Sequence, residues 1–268
     1  MHKGELLIIG GSEGKEHETE ILDKFIELSR ARGGAVGILP TASQIPDQVS
    51  AEYVETFRRL GAQEIEIIGV DSREKAESPE ISELVSKLSA LFITGGNQKR
   101  LKDLIKGTAL YDTLYEKWSS GMVIGGTSAG ASIMGEHMIV SAQTKAKDDV
   151  LEVDMDEGFG LLKNMIIDQH FSQRARFGRL LHAIAQESQT IGIGIDENTA
   201  ILVKGNEFEV YGQHQVRVFD GKNRTYVDVN IADNGSEEAT MSGIQLHTLT
   251  KGYRFDLSKR ELLNRKGE

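Results

Sequence analysis

Residues 122–135 read Met-Val-Ile-Gly-Gly-Thr-Ser-Ala-Gly-Ala-Ser-Ile-Met-Gly. A short apolar strand, Met122–Ile124, runs into Gly126-Thr127-Ser128-Ala129-Gly130 and then into small residues suited to a helix start. This is the G-x-S-x-G pattern of a nucleophile elbow, in which a serine stands on a sharp turn between strand and helix. Glycines at 126 and 130 leave room where backbones pass too close for a Cβ. Ala129 follows the serine, so its N–H is placed to meet a developing oxyanion. The alternative is a glycine turn that cradles an anion or only packs. The flanking strand and helix favour the nucleophile.

Upstream of the elbow, strands and helices alternate. Glu5–Gly10 is a compact apolar strand ending in Gly10-Gly11, and His17–Arg32 has apolar residues at 21, 22, 25, 26 and 28, a helical spacing closed by Gly33-Gly34. Ala35–Leu39 is a second buried strand, Gln48–Leu60 a helix and Glu64–Ile68 a third strand. Ile81–Ser89 is a short helix, Leu91–Thr94 a fourth strand and Thr108–Ser119 the helix before the elbow strand. This order predicts a three-layer α/β fold, a mostly parallel sheet flanked by helices.

Downstream, Asn164–Phe171 reads as a strand, Gln173–Gln186 as a helix and Thr190–Ile195 as a buried strand. From Thr199 the pattern changes to short strands joined by turns: Ala200–Lys204, Glu207–Tyr211, Val216–Asp220 and Thr225–Asn230. Asp233–Thr240 is polar and expected to be mobile, Ile244–Leu257 to add a last hairpin through Lys251-Gly252, and the polar end beyond Asn264 to fray. The expected division is a catalytic core over about 1–199 and a β-rich C-terminal section over 200–268, both in one domain.

Composition removes several classes. The 268 residues contain no cysteine, which excludes a disulfide framework, a thiolate metal site and the cysteine-dependent glutamine amidotransferases. A formal net charge of −10 argues against a nucleic-acid partner. No run of apolar residues is long enough to span a membrane. No charged segment with an apolar run and small-residue cleavage site leads the chain, so a cytoplasmic protein is expected. Gly10-Gly11-Ser12 lacks the rest of a G-x-G-x-x-G loop, so no dinucleotide cofactor is expected.

A serine hydroxyl needs a base. Among seven histidines, His170 closes the strand Asn164–Phe171. Catalytic groups of parallel α/β folds gather beyond the carboxyl ends of strands. The imidazole in turn needs an acid to fix its tautomer. The strand Thr190–Ile195 ends in Asp196-Glu197, and either acid suits. Gly95-Gly96-Asn97-Gln98 closes the fourth strand, where Gly96 is a candidate second oxyanion donor. Arg174, Arg176 and Arg179 follow the histidine and are shaped to grip a substrate carboxylate, whereas Asp168 suits a cationic substrate group.

Four blocks carry a further likeness: Ile93-Thr94-Gly95-Gly96-Asn97-Gln98, Gly125-Gly126-Thr127-Ser128-Ala129-Gly130-Ala131, the run from Asp168-Gln169-His170-Phe171 to Arg179-Leu180, and Gly194-Ile195-Asp196-Glu197-Asn198-Thr199-Ala200. Together they resemble the cyanophycinase branch of the serine peptidase family that also holds the aspartyl dipeptidase peptidase E. The likeness spans about residues 4 to 230. It implies a fold similar to class I glutamine amidotransferases (flavodoxin-like), with serine in place of their cysteine. It implies Ser128 as nucleophile, His170 as base, Glu197 as orienting acid, and oxyanion donors at Gly96 and Ala129. Gln98, Asp168, Gln169, Arg174, Arg176 and Arg179 match the family's substrate pocket.

The implied substrate is cyanophycin, a poly-aspartate bearing arginine on each β-carboxyl. The implied product is the β-Asp-Arg dipeptide, released without metal or cofactor by a homodimer. Asn97 departs from the family, where an acid is frequent. A related aspartyl dipeptidase or isoaspartyl peptidase is the alternative, and a non-enzymatic α/β module binding a small anion is the alternative of another class.

Overall fold

The computed structural model describes residues 3–145, 150–187, 190–231 and 237–265. Its first half runs through Leu6–Ile9 (β1), Glu20–Arg30 (α1), Ala35–Leu39 (β2), Pro46–Arg59 (α2), Ile65–Ile67 (β3), Arg73–Ala76 (α3), Pro79–Ser86 (α4), Leu88–Ile93 (β4), Gln98–Ile105 (α5), Ala109–Ser119 (α6), Val123–Thr127 (β5) and Ala129–Ser132 (α7). Gly135–Lys145 (β6), Val150–Glu157 (β7), Leu162–Gln169 (β8), Phe177–Gln186 (α8) and Ile191–Ile195 (β9) follow. Short strands end the chain: Thr199–Lys204 (β10), Glu207–Gly212 (β11), Val216–Asp220 (β12), Tyr226–Ile231 (β13), Glu237–Ser242 (β14), Gln245–Leu249 (β15), Arg254–Asp256 (β16) and Glu261–Leu263 (β17).

Local chemistry sets the helix starts. Pro46 and Pro79 open α2 and α4, where a missing N–H is harmless. Ser78 and Thr108 cap α4 and α6 through their hydroxyls. Asn97 caps α5: its Oδ1 accepts the Arg100 N–H at 3.2 Å. The asparagine that departs from the family pattern therefore holds a helix start.

The first sheet runs β17-β16-β11-β10-β1-β5-β4-β2-β3. Its strands β1, β5, β4, β2 and β3 are parallel, and β10 joins β1 antiparallel. A second sheet runs β15-β12-β9-β8-β6-β7, with β6, β8 and β9 parallel, and β13 pairs with β14 separately. Helices α1 and α2 cover one face of the first sheet, where Phe25, Tyr53, Phe57 and Phe92 meet with ring centroids 4.8 to 5.6 Å apart. The other face shares one apolar core with α5, α6 and the second sheet, running from Leu6 through Ile193 to Phe255. Helix α8 closes the far side of the second sheet through Leu180 and Ile184.

The α/β class expected from the sequence is the class observed, with extra strands supplied by the C-terminal section. Four local readings change. Strands β6 and β7 and helix α5 were not foreseen: β6 and β7 mix charged with apolar residues, and α5 has a largely charged face. The helix expected over Ile81–Ser89 stops at Ser86, because Ser89 is buried in β4 with its hydroxyl 3.0 Å from that of Ser29. The polar stretch expected to be mobile lies partly outside the described residues, and from Glu237 it is strand β14. The last hairpin does not form: β15 pairs with β12 and β16 with β11, so the Lys251-Gly252 turn carries the chain from one sheet to the other. The expected fraying beyond Asn264 falls almost wholly on residues outside those described.

The aromatic cluster beneath the first sheet gives a test of this packing. Phe92→Ala should lower unfolding stability by about 3–5 kcal/mol in urea titrations. A loss below about 1 kcal/mol would show that the cluster is not tightly packed.

Candidate active site

Three turns, each at the carboxyl end of a parallel strand, meet at one point. Ser128 follows β5 with φ 53° and ψ −110°, a strained conformation that lifts its side chain off the sheet. His170 follows β8 with φ 48°, and Glu197 lies in the turn after β9. The backbone beyond β1 ties these turns together. Ser128 donates its N–H to the Ile9 carbonyl at 3.1 Å, His170 to that of Gly10 at 2.7 Å, and Asn198 to that of Gly11 at 2.9 Å. Gly11 has φ 100°, and a Cβ there would lie 2.3 Å from the His170 ring. The Gly10-Gly11 pair thus seats the histidine.

The side chains form a chain of hydrogen bonds. Ser128 Oγ is 3.1 Å from His170 Nε2, and His170 Nδ1 is 2.6 Å from Glu197 Oε1. The Glu197 carboxylate only accepts, so Nδ1 carries the ring proton and Nε2 turns its lone pair to the serine hydroxyl. Burial of the ring, followed by the positive charges of Arg174 and Arg176, lowers the His170 pKa below its ordinary value; Glu197 opposes the shift. The imidazole is therefore neutral, and basic, near neutral pH. The geometry also separates the two acids left open above. Asp196 is buried and takes hydrogen bonds from the Ser172 N–H at 3.0 Å and from Arg217 at 3.3 Å, so it braces the loop.

Ala129 is the first residue of α7, and Gly96 has φ 140° with a would-be Cβ 2.1 Å from the Ala42 carbonyl oxygen. Neither N–H donates to an acceptor among the described residues.

The remaining candidates divide. Gln169 is buried with Oε1 3.4 Å from Ser128 Oγ. Gln98 directs its Nε2 to the Ile139 carbonyl at 2.7 Å, joining α5 to β6. Asp168 does not stand ready for a substrate cation. It is buried and takes hydrogen bonds from Arg176 and Arg179, the latter through Nε at 2.7 Å and through a second, very short contact. Arg176 also donates to the Gln169 carbonyl at 2.6 Å. Burial brings its guanidinium pKa down to about 10, against the pull of Asp168. Arg174 is exposed and pairs with no acid among the described residues. Two guanidiniums thus share one carboxylate and a third, that of Arg174, is unpaired among the described residues, leaving net positive charge beside His170.

Residues 6–211 match the family described as Peptidase family S51. The chain belongs to that family. A cyanophycinase of Geminocystis herdmanii is 35% identical over 257 residues, covering 95% of this chain and 94% of its own. A cyanophycinase of a Nostoc species is 35% identical over 264 residues, covering 97% and 88%. The crystal structure of a peptidase from an acI-B1 actinobacterium superposes with a TM-score of 0.72 at 25% identity, over 95% of this chain and 97% of that one. A putative peptidase E from Listeria monocytogenes shares the fold with a TM-score of 0.54 at 17% identity, over 79% of this chain and 99% of its own. Among the described residues of this S51 peptidase, no helix is long and apolar enough to cross a membrane.

Some residues around the serine escaped the sequence reading. Glu13, Lys15 and Tyr53 line a cleft of about 550 Å³ that reaches Gly95 and Ser128. Thr127 donates to Glu13 Oε2 at 2.6 Å, and Gln173 accepts the Glu197 N–H at 3.1 Å. Glu13 and Lys15 follow a strand end, the one signal that could have marked them. A larger cavity, about 850 Å³, opens at the amino ends of the strands around Lys3, Trp118 and Val203 and contains none of these groups.

In Gly11→Ala the new methyl group displaces the His170 ring, so turnover should fall at least about a hundredfold while the protein still folds; wild-type turnover would contradict the seating. The acid limb of the kcat/KM profile should have its midpoint below the ordinary histidine value of 6.5, because the base works when neutral and its pKa is lowered. Glu197→Gln removes a group that raises this pKa, so the limb should move to lower pH while kcat drops by about 10³- to 10⁴-fold. A limb moving to higher pH would refute the pairing.

Proposed function

We propose that this peptidase is a serine exopeptidase that degrades cyanophycin to β-Asp-Arg dipeptides. The observation that carries the reading is the continuous contact from Ser128 Oγ through His170 to Glu197, at 3.1 and 2.6 Å, beside a surplus of guanidinium charge. The cyanophycinases of Geminocystis and Nostoc, similar over nearly the whole chain, support the substrate.

In this mechanism Ser128 attacks the scissile aspartyl carbonyl while His170 Nε2 takes the hydroxyl proton. Glu197 holds the imidazolium. The N–H groups of Gly96 and Ala129 receive the oxyanion, where each donor contributes about 10²- to 10³-fold to kcat. His170 then gives its proton to the leaving amine, the C–N bond breaks, and an acyl ester on Ser128 remains. Water, deprotonated by His170, attacks the ester and restores the hydroxyl. Arg174, with Arg176 and Arg179 held by Asp168, faces the carboxylates of the polymer, and Gln169 lies at the reacting centre. The same reading carries a cytoplasmic enzyme acting as a homodimer, the state the family resemblance implies.

Incubation with purified cyanophycin should release β-Asp-Arg, identified by mass spectrometry. Ser128→Ala should lose about a millionfold in kcat with unchanged circular dichroism. Cleavage of short aspartyl dipeptides without attack on the polymer would assign the chain to the dipeptidase branch instead, and normal turnover by Ser128→Ala would dismiss the serine mechanism.

A further inference from the structure

Glu13 stands in the loop after β1, with 7% of its surface exposed. One carboxylate oxygen accepts from the Tyr53 hydroxyl in a very short contact, the other from Thr127 Oγ at 2.6 Å. Both donors are neutral. Among the described residues, no lysine, arginine or histidine forms an ion pair with Glu13. The cation nearest in sequence, Lys15, lines the same cleft but pairs with another acid: its Nζ is 2.9 Å from Glu52 Oε2 and 4.4 Å from the centroid of the Tyr53 ring. A buried carboxylate held only by hydroxyls lacks the counter-charge that normally offsets its desolvation.

This carboxylate also faces an opening. It lines the 550 Å³ cleft with Ser12, Tyr53, Gly95, Thr127 and Ser128, and Thr127 is the residue directly before the serine. The two hydroxyl donors fix the plane of the carboxylate and use one acceptor site on each oxygen. The second site on each oxygen is left for a donor from the cleft. A planar guanidinium, with parallel N–H groups, fits such a pair. Burial, followed by the Glu13 charge, raises the Tyr53 pKa well above its ordinary value, so the phenol keeps its proton and remains a donor.

We propose that Glu13 binds the positively charged side chain of the substrate in this cleft, and so selects arginine-bearing aspartyl chains. The inference rests on the cyanophycin reading and adds the subsite that reads the arginyl group. Ser128 then lies between two opposite fields: arginines beyond β8 for the polymer's carboxylates, and Glu13 beyond β1 for its guanidinium. Lys15 does not cancel the second field, because Glu52 matches its charge at the rim.

The test compares two synthetic aspartyl oligomers, one with β-linked arginine and one with β-linked citrulline, which is nearly isosteric and uncharged. The wild-type enzyme should prefer the arginine oligomer by roughly ten- to a hundredfold in kcat/KM, the strength of a charged hydrogen bond, and should show the preference mainly in KM. Glu13→Gln keeps the size of the side chain and should bring the ratio close to one, the larger loss falling on the arginine oligomer. Glu13→Asp keeps the charge and should retain part of the preference. An unchanged ratio in Glu13→Gln, or an equal loss on both oligomers, overturns the assignment while the substrate reading stands. Failure of the wild-type enzyme to cut either oligomer overturns both.

Discussion

Three consecutive carbonyl groups, those of Ile9, Gly10 and Gly11, receive the N–H groups of Ser128, His170 and Asn198. Each such bond contributes only about 1 kcal/mol net, but together they place three turns from two sheets on one short loop. The turns do not adopt relaxed conformations. Ser128, His170 and Asn198 all have positive φ, at 53°, 48° and 45°, a conformation that costs of order 1–3 kcal/mol at a non-glycine residue. Packed surroundings sustain it. Ile9 lies in an all-buried strand, Thr127 closes another, and Ile195 ends a third. The strain is stored where the proposed chemistry needs side chains to stand clear of the sheet.

The absence of a side chain at Gly11 matters as much as the carbonyl bonds. The His170 ring occupies the space a Cβ would fill, so the imidazole is packed as well as hydrogen-bonded. Packing also sets its basicity. Burial is the main cause that lowers the His170 pKa, and the arginines of the next turn add to it. One of them, Arg176, is held together with Arg179 by Asp168, a buried acid that serves the protein's own cations. Charge is thus arranged in two groups around the serine: a cationic one organised by Asp168 and an anionic one at Glu13. An aspartyl polymer carrying arginine presents both signs.

Much of the fold was legible because buried parallel strands are short apolar runs closed by glycine or proline. Leu6–Ile9 and Ala35–Leu39 are of this kind. Strands β6 and β7 were not legible, since they mix Glu, Asp and Lys with Ile and Val and lack the continuous apolar run of the buried strands. The turn at Lys251-Gly252 reads as a hairpin tip by every local sign. Its flanking strands find partners in different sheets, because β12 and β11 offer them open edges.

The local chemistry of Gly126-Thr127-Ser128-Ala129-Gly130, the strand-end position of His170 and the acid pair after Ile195 were decided by the sequence alone, since each depends on residues adjacent in the chain. Which acid meets the histidine was a tertiary decision. Glu197 turns to the imidazole because Asp196 is already engaged by Ser172 and Arg217. So were the seat for His170 at Gly11, the withdrawal of Asp168 into its arginines, and the hydrogen bond that Thr127, the neighbour of Ser128, makes to Glu13 across 114 residues. The reason is common to all of them: a side chain's partner is set by which strand ends the two sheets bring together, and no local pattern encodes that convergence.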